Sequence, residues 1–125
     1  MSVILDTKGL SKTTHRYSTK MFYSQLYRYD INQKIVEALA DAQSRIILFS
    51  IIKEGKIAEE ISYETKLPLS TVYKKLADLE NLTLIHIERR MISDKGRKFK
   101  VYKSRISGAR ISMHDLEPKI NLLPN

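Results

Sequence analysis

Three observations predict a mainly α fold with a small β-hairpin, an α+β class. Apolar residues recur at helical spacing from Ile31 to Leu79, the period changes to alternation from Leu84, and the turn signal SDKGRK at 93–98 divides that alternation in two. With 125 residues and 42% apolar content, the chain can build one modest core.

The first helix is expected over 31–40. Asp30 and Gln33 form a start resembling a capping box, and Ile31, Ile35, Val36 and Leu39 follow at helical spacing. Asp41 can cap a second helix over 42–54, which Gly55 ends. Its run IILFSII, 46–52, has the β-branched content of a buried strand, but the cap before it, the Lys53-Glu54-Gly55 ending and its length favour a helix. A helix that is apolar nearly all round must be covered on most sides. A third helix is expected over 57–66, with Ile57, Ile61 and Leu67 inward and Glu59, Glu60 and Glu64 wet. Pro68 stops it and opens a fourth at about 69–81, since proline's missing N–H costs nothing at a helix start.

Ile85, Ile87 and Met91 then alternate with His86, Glu88 and Arg90, and Phe99 and Val101 begin an answering strand that runs to about Arg105. Ala109, Ile111 and Met113 alternate again, as a short third strand would, and Pro118 and Pro124 argue against a long terminal helix. The expected organisation is an N-terminal arm over 1–29, partly ordered or packed at a dimer interface, one domain over 30–113 and a C-terminal tail over 114–125. The arm includes YSTKMFYSQLYRY, 17–29. Its aromatic density suits packing on the domain or on a second subunit. With Arg16, Lys20 and Arg28 beside it, the segment also suits contact with nucleic acid.

Charge distribution narrows the function. Of a net charge of +8, nearly all sits between His86 and Arg110, where nine Lys/Arg face only Glu88 and Asp94. Positive charge concentrated in one segment points to a polyanion partner. The chain has no cysteine, which excludes disulfides, thiolate metal sites and cysteine nucleophiles. His15, His86 and His114 lack metal-ligand spacing, so no metal and no cofactor is expected. No nucleophile–base set, carboxylate pair or phosphate-binding glycine loop stands out, which argues against an enzyme. The longest apolar run is too short to span a membrane, and the N-terminus lacks the basic start and apolar core of a signal peptide. A cytoplasmic, nucleoid-associated location is therefore expected.

Three helices followed by a basic hairpin is the element order of a winged helix-turn-helix. In the fourth helix Val72, Leu76 and Leu79 form one stripe with Leu69, so Ser70, Lys74, Ala77 and Asp78 lie opposite, flanked by Thr71, Tyr73 and Lys75. Such a first turn, short, polar and cationic, suits a recognition helix entering the major groove. The hairpin would be the wing, at about 85–106. Its Arg89, Arg90, Lys95, Arg97, Lys98 and Lys100 are candidates for contact with the flanking backbone or a minor groove. The candidate DNA-binding residues are these six together with Ser70, Thr71, Tyr73, Lys74 and Lys75. Each residue taken singly also fits an ordinary solvated face; the pairing of helix and basic hairpin favours DNA.

The segment from Ala38 to Ile85 resembles the winged helix-turn-helix of ArsR-like transcriptional regulators. The ALAD opening with Arg45, Ile47, Leu48 and Ile51 is similar to the family's first core helix, and EISYETKLPLSTVYKKLADLE to its helix-turn-helix. The Ile- and Lys-rich style is similar to archaeal members. The resemblance implies a homodimeric transcription factor on double-stranded DNA, with Ser70, Thr71, Tyr73 and Lys74 at DNA-facing positions. It does not extend to metal sensing, which in the family relies on cysteine clusters. The long C-terminal dimerisation helix of many members is also missing, so a dimer is expected through the N-terminal segment and helix 31–40. Two alternatives remain: a winged-helix protein-interaction module in a transcription or other assembly, and a chromatin-like DNA binder without sequence preference.

Overall fold

The computed structural model describes residues 19–125, with side chains described from residue 30 onward. Among the described residues four helices, α1 (Thr19–Ala40), α2 (Ala42–Ser50), α3 (Ala58–Thr65) and α4 (Leu69–Asn81), precede four strands, β1 (Ile85–Ile92), β2 (Lys98–Ser104), β3 (Ile106–Ser112) and β4 (Lys119–Pro124). The strands form two antiparallel hairpins, β1–β2 and β3–β4. This is a winged helix-turn-helix, with a mainly α body and a β wing. Readings that fall on residues 1–18, or on the side chains of 19–29, lie outside the described residues.

Helix α1 departs from expectation. It begins at Thr19 rather than 31, so the boundary drawn at 29/30 falls inside a helix. No glycine or proline interrupts 19–40, and Asp30 spends its carboxylate on Lys34 one turn later, at 3.3 Å, instead of capping a helix start. Helix α2 begins as expected. Asp41 accepts from the Ser44 amide at 3.0 Å and from the Ser44 hydroxyl at 2.8 Å. It ends earlier than 54, at Ser50. The Ile51 amide bonds to Leu48 O, and the Lys56 ammonium takes up the Ser50 carbonyl at 2.7 Å.

Helix α3 starts with the Glu60 carboxylate accepting from the Ile57 amide at 3.1 Å, and Lys66, at φ 63°, ends it. The turn into α4 is held by the Ser62 hydroxyl donating to Leu67 O at 2.6 Å. Helix α4 has the expected bounds, with Val72, Leu76 and Leu79 buried; Leu69, at the edge of that stripe, is partly exposed. Their neighbours in the core are Ile47, Leu48 and Ile51 of the α2 segment and Ile61 of α3, with Ile35 contributed by α1 and Leu84 and Ile85 by the start of the wing. Ile46 and Phe49 remain about half exposed on α2, so the cover expected for that helix is incomplete in the single chain.

The wing is a three-part sheet. Lys56 exchanges both backbone hydrogen bonds with Tyr102, at 3.0 and 2.8 Å, adding a short third edge to β1–β2. The approach is close enough that Gly55 has no room for a side chain: a Cβ there would lie 2.7 Å from Glu88 Oε1 and 2.8 Å from Val101 Cγ1. The expected short strand exists as β3, one strand of a second hairpin. The segment 114–125, expected as a tail, holds its other strand, β4. Ile120 and Leu122 of β4 pack against the core, and Leu116 and Pro118 are buried. That apolar burial explains why the segment folds back.

Candidate nucleic-acid interface

The first turn of α4 is largely exposed. Ser70 and Lys74 are exposed, Tyr73 is about half exposed and Thr71 is half-buried. Pro68 at the N-cap supplies no side-chain hydrogen bond, so the first amides of α4 are uncapped by any described side chain. Uncapped amides at a helix start favour an anion. Lys75 departs from this group. Its side chain is only 24% exposed, and its ammonium lies 2.9 Å from Asp41 at the start of α2. The Lys75 ammonium is the largest influence holding the Asp41 carboxyl at about 2, with the Ser44 bonds next.

Register fixes which way the wing cations face. β1 and β2 pair Ile85 with Ser104 and Ile87 with Tyr102, and a β-bulge at Glu88 then shifts the ladder, so that Arg90 opposes Lys100 and Ile92 opposes Lys98. Paired residues share a face. Arg90, Lys100 and Lys98 therefore lie on the face that carries Tyr102, while Arg89, Met91 and Phe99 lie on the other with Val101. Tyr102 turns toward α4: its phenol is pushed up by burial first, then by Glu80 and Tyr73 of α4, while Arg90 acts in the opposite sense. Tyr73 of the helix head and Arg90 of the wing thus both lie near the Tyr102 phenol. Without the bulge, Arg89 rather than Arg90 would share the face of Tyr102.

Arg90 directly opposite Lys100 is a like-charge pair, which destabilises a hairpin taken alone. Among the described residues, no acid lies within ion-pair distance of Lys74, Arg90, Lys95, Lys98 or Lys100. Two wing candidates are internally paired: Arg89 bonds Glu88 at 3.2 Å, and Arg97 at the wing tip bonds Glu59 in the first turn of α3. The tip, 93–97, is closed by the Ser93 amide donating to Arg97 O, at 2.8 Å, with Gly96 at φ 80°. Glu59 and Asp41 as partners of these cations were not readable as such, because each contact joins residues more than 30 positions apart and leaves no local pattern.

No described group of His, Asp or Glu has metal-site geometry, and no described helix is long and apolar enough to cross a membrane. No family model matches the chain, and no curated protein matches it. Among solved structures, the chain is similar in fold to NolR from Sinorhizobium fredii, at a TM-score of 0.54 and 19% identity, over 73% of this chain and 81% of that one. At that identity the likeness is one of fold.

Proposed function

We propose that the protein is a DNA-binding transcriptional regulator of ArsR-like type, with α4 docked in the major groove and the wing on the flanking backbone or minor groove. The observation that carries this reading is the cross-strand pair Arg90–Lys100. Two cations held face to face, with Lys98 beside them and no described acid to balance them, raise the energy of the free protein and lower it against phosphates. The head of α4 bears Ser70, Thr71, Tyr73 and Lys74, whose sizes and charges suit base edges and backbone. Arg89, Lys95 and Arg97 extend the cationic surface, two of them after exchanging an internal acid for phosphate. No enzymatic activity is proposed.

The working unit we infer is a homodimer through the N-terminal segment and the 31–40 part of α1. The half-exposed Ile46 and Phe49 on neighbouring α2 support an apolar partner on that side of the chain. They also favour the second reading, a protein-interaction module. Fluorescence anisotropy with a random duplex and a genomic-fragment pool, at about 50–300 mM salt, separates the readings. Neutralising about five phosphates per subunit predicts a slope of log K against log salt of roughly −4.5. Enrichment of particular fragments marks a specific regulator, and binding without enrichment a chromatin-like binder. Absence of binding at low salt leaves the interaction module.

A further inference from the structure

We propose that Lys75 is a positioning residue, which sets the rotation of α4 about its own axis through Asp41 and does not itself touch nucleic acid. The proposal rests on the reading of α4 as the recognition helix.

Lys75 is adjacent in sequence to the exposed Lys74, yet the two ammonium groups have different surroundings. Lys75 borders the buried stripe of Val72, Leu76 and Leu79 and ends 2.9 Å from Asp41. Its receptor is already fixed. Asp41 caps α2 through two bonds to Ser44, and Arg45 donates to the last carbonyls of α1, Leu39 O and Ala40 O, each at 2.8 Å. The α1–α2 corner is therefore a rigid post. An apolar stripe tolerates a few degrees of helix rotation, because burial has no direction. The Lys75–Asp41 hydrogen bond at 2.9 Å adds a directional restraint that burial lacks. A small rotation of α4 would swing Ser70, Thr71, Tyr73 and Lys74 together, and Lys75–Asp41 is the described polar contact from α4 that resists it. The pair borders a cleft of about 430 Å³ between α1, α2 and α4, so water reaches it and its strength is that of a partly exposed ion pair.

The test is duplex binding by Lys75→Met and Asp41→Asn across salt, with amide NMR shifts of Ser70–Lys74 in both variants. Asparagine keeps the cap on α2, so Asp41→Asn removes the charge from the tie and spares the helix start. Positioning predicts that both variants weaken binding, by roughly fivefold at most given the pair's strength, with the wild-type salt slope retained. Contact between Lys75 and phosphate predicts the opposite pattern: Lys75→Met reduces the slope by about 0.9, and Asp41→Asn, which removes an acid and frees the lysine, tightens binding. That pattern overturns the proposal. If the wild-type chain binds no duplex at low salt, the DNA reading fails and the shifts alone decide. Amides of Ser70–Lys74 displaced alike in both variants support positioning, and amides unmoved in both overturn it.

Discussion

Arg97, at the tip of the wing, bonds Glu59 in the first turn of α3, across 38 positions of sequence. The contact ties the outermost part of the hairpin to the helix-turn-helix body, and it occupies a cation that the proposed interface would use. Glu59→Gln removes the competing acid and leaves the guanidinium free for phosphate. Duplex affinity is expected to rise severalfold, with a salt slope steeper by up to about 0.9, measured by anisotropy titrations of both proteins.

The Arg90–Lys100 pair predicts opposite effects on folding and binding. Lys100→Gln relieves like-charge repulsion across the strands and should stabilise the chain by a few tenths of a kcal/mol, roughly the lower end for cross-strand pairs. The same change should weaken duplex binding and lower the magnitude of the salt slope by about 0.9. Urea unfolding alongside anisotropy checks both signs. Loss of stability without loss of binding would mean that Lys100 serves the hairpin alone.

Gly55 marks the point where the chain passes under the wing. An alanine Cβ would fall inside normal contact distance of Glu88 and Val101. The Glu88 end can move and the Val101 branch, which is buried, cannot do so freely. Gly55→Ala is expected to cost about 1–3 kcal/mol, the range for overpacking, in chemical denaturation.

Thr83 leaves α4 with φ 61°, a conformation that a β-branched residue adopts at a cost. Thr83→Gly should stabilise the protein by about 0.5–1 kcal/mol, since relief of the left-handed strain exceeds glycine's added chain entropy. Thermal unfolding at fixed pH reads the shift.

Asp41 predicts a pH dependence. Its folded pKa, about 2, lies below the ordinary 3.8, so its contribution is fully present above about pH 4 and is lost as pH falls toward 2. Solvent reaches the pair, which limits the effect to about 1 kcal/mol or less. The stability difference between wild type and Lys75→Met should narrow across that window, and denaturation at a series of pH values tests it.

Much of this was legible because the relevant signals are local. Pro68 and the Val72, Leu76, Leu79 stripe fixed the bounds of α4, and SDKGRK located the wing tip. What escaped depends on distant neighbours. Asp30 has the chemistry of a cap and sits inside a helix, because nothing before it breaks the chain. The strand β4 reads as a tail, since Pro118 precedes it, Pro124 ends it and its partner β3 lies across a turn without a standard signature. The alternation Ile85, Ile87, Met91 puts all three on one face, yet the bulge at Glu88 sends Met91 to the other. Of the candidate site, Ser70, Tyr73 and Lys74 stand free as expected, whereas the partners of Lys75 and Arg97 emerge only in three dimensions.

The extra residue in β1 has a consequence for how this wing could vary. Strand faces obey parity, and one unmatched residue inverts it for everything beyond. Deleting Glu88 would remove the unmatched residue and leave Arg90 opposite Lys100 beside Tyr102, whereas one residue gained between Val101 and Tyr102 would match Glu88 and transpose the faces of the distal hairpin. With that added residue Arg90, Lys100 and Lys98 would exchange sides with Arg89, Met91 and Phe99, and the paired cations beside Tyr102 would give way to a mixed face. A single codon gained opposite the bulge can thus redirect the wing's charge without altering one basic residue.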